Sequence, residues 1–186
     1  MSNAFAYLSV LLSIVLGLAI TEILQSWAAL LRGRARVQFY LPPVTWSVIF
    51  LLVTVQFWWV SFGLATRASW NFASFCAVIA QTVTIYMASA LVLPKAEGDQ
   101  PIDLRAQYYR EVAPLFTLGL VFSAIGFVKD ALLHEQLVPL QLATRILFIV
   151  LLVVLLLIRK PRVHEMISPI IAAVMIGYFV LLFWRI

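Results

Sequence analysis

The chain has 186 residues, of which 64% are hydrophobic and 11% charged, and it carries a formal net charge of +5. A soluble domain is roughly 45–50% apolar and about 25% charged, so a fold of this length has too little interior to hide this much apolar surface. The composition excludes an ordinary soluble domain and predicts one integral membrane domain, an all-α polytopic membrane helix bundle.

Six transmembrane helices are expected. The first covers Phe5–Leu31, longer than the 17–25 residues or so that a bilayer needs, so it tilts or projects into the interface. No Lys or Arg precedes Arg32; without a positive n-region, the run reads as a retained helix rather than a signal peptide. Ser9, Ser13, Gly17, Thr21 and Gln25 recur every fourth residue. Small residues let helices approach closely in lipid, so this stripe is expected to face the bundle. Glu22 is the acid placed deepest, roughly 15 Å along the helix from Arg32. An intramembrane acid is costly, which makes it either a proton or cation site or a structural acid bonded to Thr, Gln or an interfacial arginine.

The second span is expected over Val44–Thr66, after Leu41-Pro42-Pro43. Near its centre stands TVQFWWVSFG, Thr54 to Gly63. Trp58 and Trp59 point about 100° apart on a helix. Trp59 is expected inward with Gln56, and Trp58 toward another helix or a second protomer. Trp46, Trp70 and Trp184 fall near span ends, where an aromatic belt is expected. The third span, Phe72–Leu93, ends at Pro94. Its Ser74, Ala77, Gln81, Thr84 and Ala88 share one face. Glu22, Gln56, Gln81, Thr84 and Tyr86 form the candidate intramembrane polar site, because side-chain amides in lipid need internal partners. Cys76, the one cysteine, is expected as a small buried packing residue.

The loop from Pro94 to Glu111 holds a short helix over Asp103–Glu111, capped by Asp103, which either continues into the fourth span or docks a partner. The fourth span is expected over Val112–Leu133, with Pro114 in its first turn and Gly119, Ser123, Gly126 and Asp130 on one face. Lys129, Asp130, His134, Glu135 and Arg145 are expected to gather as a polar rim. The fifth span, Leu140–Ile158, is aliphatic from Ile146 onward and is placed at the lipid-facing edge. The sixth is expected over Pro169–Arg185, with Ser168 as its N-cap. Spans one to four then form the core. A faint 3+3 inverted repeat is also legible: Ser13-x-x-x-Gly17 followed by Thr21-Glu22, against Gly119-x-x-x-Ser123-x-x-Gly126 followed by Lys129-Asp130.

The loops after the first, third and fifth spans hold nine Lys and Arg residues, against four on the other side. The positive-inside rule places that nine-residue side in the cytoplasm and both termini outside the inner, or plasma, membrane. The two histidines, His134 and His164, fall at opposite faces. No HExxH, CxxC, P-loop or GxGxxG motif occurs. The chain is therefore expected to be no enzyme, with no metal, no cofactor and no nucleic-acid partner. Its expected partners are the lipid bilayer and either further copies of itself or another membrane protein. Two function classes follow. The first is an oligomeric channel or transporter-like protein for an ion or small solute. The alternative is a non-catalytic membrane subunit or scaffold that packs against partner membrane proteins, lipid or an apolar ligand.

Overall fold

The computed structural model describes residues 3–66, 70–95, 101–134 and 138–183. Six α-helices make up nearly all of it: α1 (Asn3–Arg32), α2 (Leu41–Ser61), α3 (Phe72–Leu91), α4 (Leu104–Leu132), α5 (Pro139–Leu157) and α6 (Pro161–Phe183). All six are long and apolar enough to cross a membrane. A 3-10 turn over Phe62–Thr66 prolongs α2. Two-residue strands, β1 (Val37–Gln38) and β2 (Ile102–Asp103), pair in parallel. They tie the α1–α2 connection to the α3–α4 connection. Arg34 and Arg36 precede β1, Arg105 follows β2, and Lys95 follows α3 in the same α3–α4 connection; the start of α6 packs on Tyr109 of α4. These residues mark the basic end of the bundle.

α3 is the hub. Half of its most apolar 18-residue stretch is buried, against 11% of that of α5. It packs between α1 and α4 and also meets α2; α5 leans on α4, and α6 lies against α2. The expectation that α1–α4 form the core holds in this packing.

The small-residue stripe of α1 does not face the core. Phe5, Leu8, Leu12, Leu16, Ala19 and Ile23 are buried instead, in a three-four rhythm. Ser13, Gly17, Thr21 and Gln25 lie on the outer surface. The large apolar side chains of α1 pack against Val78 and Ile85 of α3, whereas Thr21 bonds the Gly17 carbonyl of its own helix at 2.8 Å and needs no partner from α3. Cys76 corrects another expectation, since it is exposed. With Val83 and Met87 it lies on the face of α3 opposite the packed one.

α4 starts eight residues before the expected span. Asp103 caps it, its Oδ1 accepting from the backbone N–H of Arg105 at 2.9 Å and of Ala106 at 3.0 Å. The short loop helix and the fourth span are thus one helix, which runs through Pro114. α6 likewise starts early, at Pro161, and carries Pro169 in its interior. Ser168 is no N-cap: it is fully buried, and its hydroxyl accepts a hydrogen bond from Trp46 Nε1 at 3.1 Å. Trp46 is correspondingly not a belt residue. Its ring is fully buried and meets Phe116 at a centroid distance of 4.9 Å. Trp184 lies outside the described residues.

Trp46 joins α2, α4 and α6 at one point. Trp46→Ala is expected to cost about 3 kcal/mol, the scale for truncating a buried aromatic. Thermal unfolding of detergent-solubilised protein checks it: Trp46→Ala lowers the melting temperature by several degrees or more, and Trp59→Ala, at a half-exposed position, lowers it far less.

Candidate functional site

A cavity of about 300 Å³ lies between α2, α3, α4, α5 and α6. Val53, Gln56, Phe57 and Val60 form its α2 wall, at the three-four spacing of one helix face. Gln81, Thr84 and Ala88 line it from α3, and Gly119, Phe122, Ser123 and Gly126 from α4. α5 adds Gln141, Thr144 and Arg145, and α6 adds Met175 and Tyr178. In helix order the cavity starts near the α4–α5 connection, where Val60 and Gln141 are exposed, and further along it Leu147 and Val174 are exposed as well. It ends at about mid-bundle, at Phe50, Ala88, Leu151 and Ile171. Toward the basic end those residues belong to one packed core with Trp46, Phe116 and Leu152.

Three charges meet beside the cavity. Arg145 donates from Nη1 to Asp130 Oδ2 at 2.6 Å, and Lys129 Nζ stands 3.4 Å from Asp130 Oδ1. The Asp130 side chain is only 5% exposed, so its carboxylate is held almost wholly within protein. Both cations also face rings, Arg145 over Phe127 at 4.8 Å and Lys129 over Phe57 at 6.0 Å. One carboxylate against two cations leaves a local net charge of +1.

Gln81 is buried beside them. Its Nε2 donates to the Phe122 carbonyl at 3.3 Å, and its Oε1 is enclosed without a hydrogen-bond partner. Gly126 makes the approach of α3 to α4 possible here. A Cβ at that position would lie 2.9 Å from Gln81 Nε2 and 3.7 Å from Arg145 Nη1. Amide and guanidinium therefore share one spot. Gly119 plays a matching part for α5, since a Cβ there would lie 2.8 Å from Leu152 Cδ1.

Of the residues expected to form the intramembrane polar site, Gln56, Gln81 and Thr84 come together around the cavity. Tyr86 packs instead against the apolar cluster that includes Leu8 and Leu12. Glu22 is remote from the cavity, to which α1 contributes no residue. Its carboxylate lies 3.8 Å from Lys95 Nζ at the basic end. Of the expected rim, Lys129, Asp130 and Arg145 converge. His134 is exposed, with a positive φ of 49°, and Glu135 lies outside the described residues. Trp59 is 49% exposed rather than inward; the inward aromatic is Phe57, packed on Phe122. Trp58 turns to α1, its Nε1 donating to Ser13 Oγ at 3.3 Å. Gln141 and Thr144 were not anticipated as site residues. The signal was present: with Arg145, they are the polar residues of an otherwise apolar α5.

The basic end is closed by aromatic hydrogen bonds. His164 is fully buried. Its Nε2 lies 2.9 Å from the Ile158 carbonyl, which only accepts, so Nε2 carries a proton. In the neutral ring Nδ1 then accepts from the Tyr108 hydroxyl at 2.9 Å. Tyr40 and Tyr109 share a hydrogen bond of 3.1 Å, and Arg105 lies over the Tyr40 ring at 5.7 Å. Burial, then the Tyr109 hydroxyl, push the Tyr40 phenol well above its usual range, so it stays protonated.

Fold and site together define a multi-pass helical membrane protein whose bundle encloses a largely apolar cavity with a cluster of polar and charged groups beside it. The chain matches no protein-family model, no curated protein and no solved structure.

The cavity geometry sets an accessibility pattern. In a Cys76→Ser background, Gln141→Cys is expected to react readily with a water-soluble maleimide, and Ala88→Cys at the cavity floor to react at least about tenfold more slowly. Equal rates at the two positions would contradict the closed floor.

Proposed function

We propose that the chain is a small transporter-like protein of the inner membrane that binds an ion or small solute in this cavity. One observation carries the reading. The cavity holds amide and charged groups that are buried in protein, where such groups are costly unless they serve structure or a passing solute, and it stops at a packed layer before the basic end. A cavity that reaches the surface away from the basic end and is closed toward it would suit a carrier in one of its two access states. The positive-inside rule puts the basic end in the cytoplasm and both termini outside.

A second reading has its own support. Ser13, Gly17 and Thr21 are exposed on α1, and apart from its own helix backbone nothing lies within 4 Å of a Cβ built on Gly17. Small residues at four-residue spacing suit close contact with another membrane helix. That surface fits an oligomer, or a non-catalytic subunit docked on a partner.

Flux in proteoliposomes separates the readings, using a panel of monovalent ions and small organic solutes. Gln81→Leu and Arg145→Gln are each expected to lower flux about tenfold or more, the scale of one lost charged or buried hydrogen bond. Glu22→Gln, outside the cavity, should retain most of it. Absence of flux for the whole panel, together with co-purification of a fixed partner, would replace the carrier reading with the subunit reading.

A further inference from the structure

We infer that the cavity takes a small organic monoanion with a hydrogen-bond donor beside its anionic group and an apolar remainder. This rests on the reading of the cavity as a solute site and adds the class of solute.

The charge comes first. Among the described residues lining the cavity, Asp130 is the one acid, and Lys129 and Arg145 are the cations. All three side chains are at least three-quarters buried. A surplus positive charge this far buried within protein is costly, and a bound anion relieves it. Asp130 takes Arg145 through Nη1, and a guanidinium has further N–H donors in its planar fork for a second acceptor. A cationic solute would meet two cations and a carboxylate already engaged on both oxygens.

The donor comes next. Gln81 is 4% exposed, and its Oε1 has no partner. A buried carbonyl oxygen of this kind needs an N–H or O–H. Gln81 and Arg145 both line the cavity, and Gln81 Nε2 and Arg145 Nη1 lie within 4 Å of one point beside Gly126. A ligand head whose anion meets Arg145 would stand next to the Gln81 amide, and a turn of that amide would bring Oε1 to an adjacent hydroxyl or amine. Chloride would answer the charge and leave the amide oxygen unmet. A plain alkyl acid, ionised, would do the same.

The remainder of the ligand meets a different surface. Phe50, Leu118, Leu151, Ile171 and Met175 line the deeper part of the cavity. A volume of about 300 Å³ is at the small end for ligand pockets, which suits a short-chain acid rather than a full-length lipid chain.

Calorimetric titration of the full chain in phosphatidylcholine nanodiscs tests this at constant chloride. The probes are 2-hydroxyhexanoate, hexanoate, 1,2-hexanediol and hexylammonium. The hydroxy acid should bind best and hexanoate several-fold more weakly; the diol and the amine should not bind measurably. Gln81→Leu should erase the preference for the hydroxyl. Arg145→Gln should weaken acid binding about tenfold, the loss of one charge-assisted hydrogen bond. Asp130→Asn, which raises the local charge to +2, should tighten it, an effect that damage to the fold would not produce. The ligand series on the unaltered chain stands even where a variant fails to fold. Binding of the amine or the diol as strongly as the acid would overturn the monoanion and leave the cavity as a solute site. Binding of none of the probes would overturn the inference. Saturable acid binding without flux in proteoliposomes would support the inference and remove the carrier reading.

Discussion

Lipid offers no hydrogen bonds, so each polar group on a membrane-embedded helix must find its partner within protein. That constraint organises the interior of this chain. Most of its hydroxyls solve the problem locally, donating to a carbonyl one turn back: Thr21 to Gly17, Thr54 to Phe50, Thr82 to Val78 and Ser123 to Gly119. Groups too long for that reach across to another helix. Trp27 bonds Ser47, Trp46 bonds Ser168, and Trp58 bonds Ser13. Among the described residues three buried side-chain atoms stay without a partner, and one of them, Gln81 Oε1, belongs to a residue lining the cavity.

Packing places that exception. Large residues on α1 press against Val78 and Ile85 of α3, and half of the most apolar stretch of α3 is buried. Its opposite side meets α4, where Gly126 leaves room for the Gln81 amide. α5 then leans on Gly119 and brings Arg145 to Asp130. The two glycines thus position different parts of one site, one admitting an amide and the other admitting a helix.

The six spans were legible because apolar run length is a coarse property that tertiary packing does not alter. The starts of α4 and α6 were not, since both helices continue into polar sequence at the basic end. Prolines misled there: Pro114 and Pro169 look like helix starts and sit inside helices. The mid-span glutamines, Gln56 and Gln81, line the same cavity, in keeping with the need of a side-chain amide for partners beyond its own helix. The hydroxyl stripe of α1 pointed the wrong way for the converse reason. A threonine that bonds its own backbone is free to face outward, as Thr21 does. Trp58 and Trp59 were known to need different surroundings, but only the packed structure shows that Phe57 takes the inward place. Arg145 was visible as a rim charge; its depth depends on the tilt of α5 against Gly119, which no local pattern encodes.

The bonds that close the basic end span long stretches of chain. Trp46 and Ser168 are 122 positions apart, Tyr40 and Tyr109 are 69 apart, and Tyr108 and His164 are 56 apart. Two of these three need α6, which is made after the other five helices described here. Until it is in place, the indole of Trp46 and the hydroxyl of Tyr108 have not met their final partners, so closure of the basic end waits on a helix that lies 56 or more positions further along the chain.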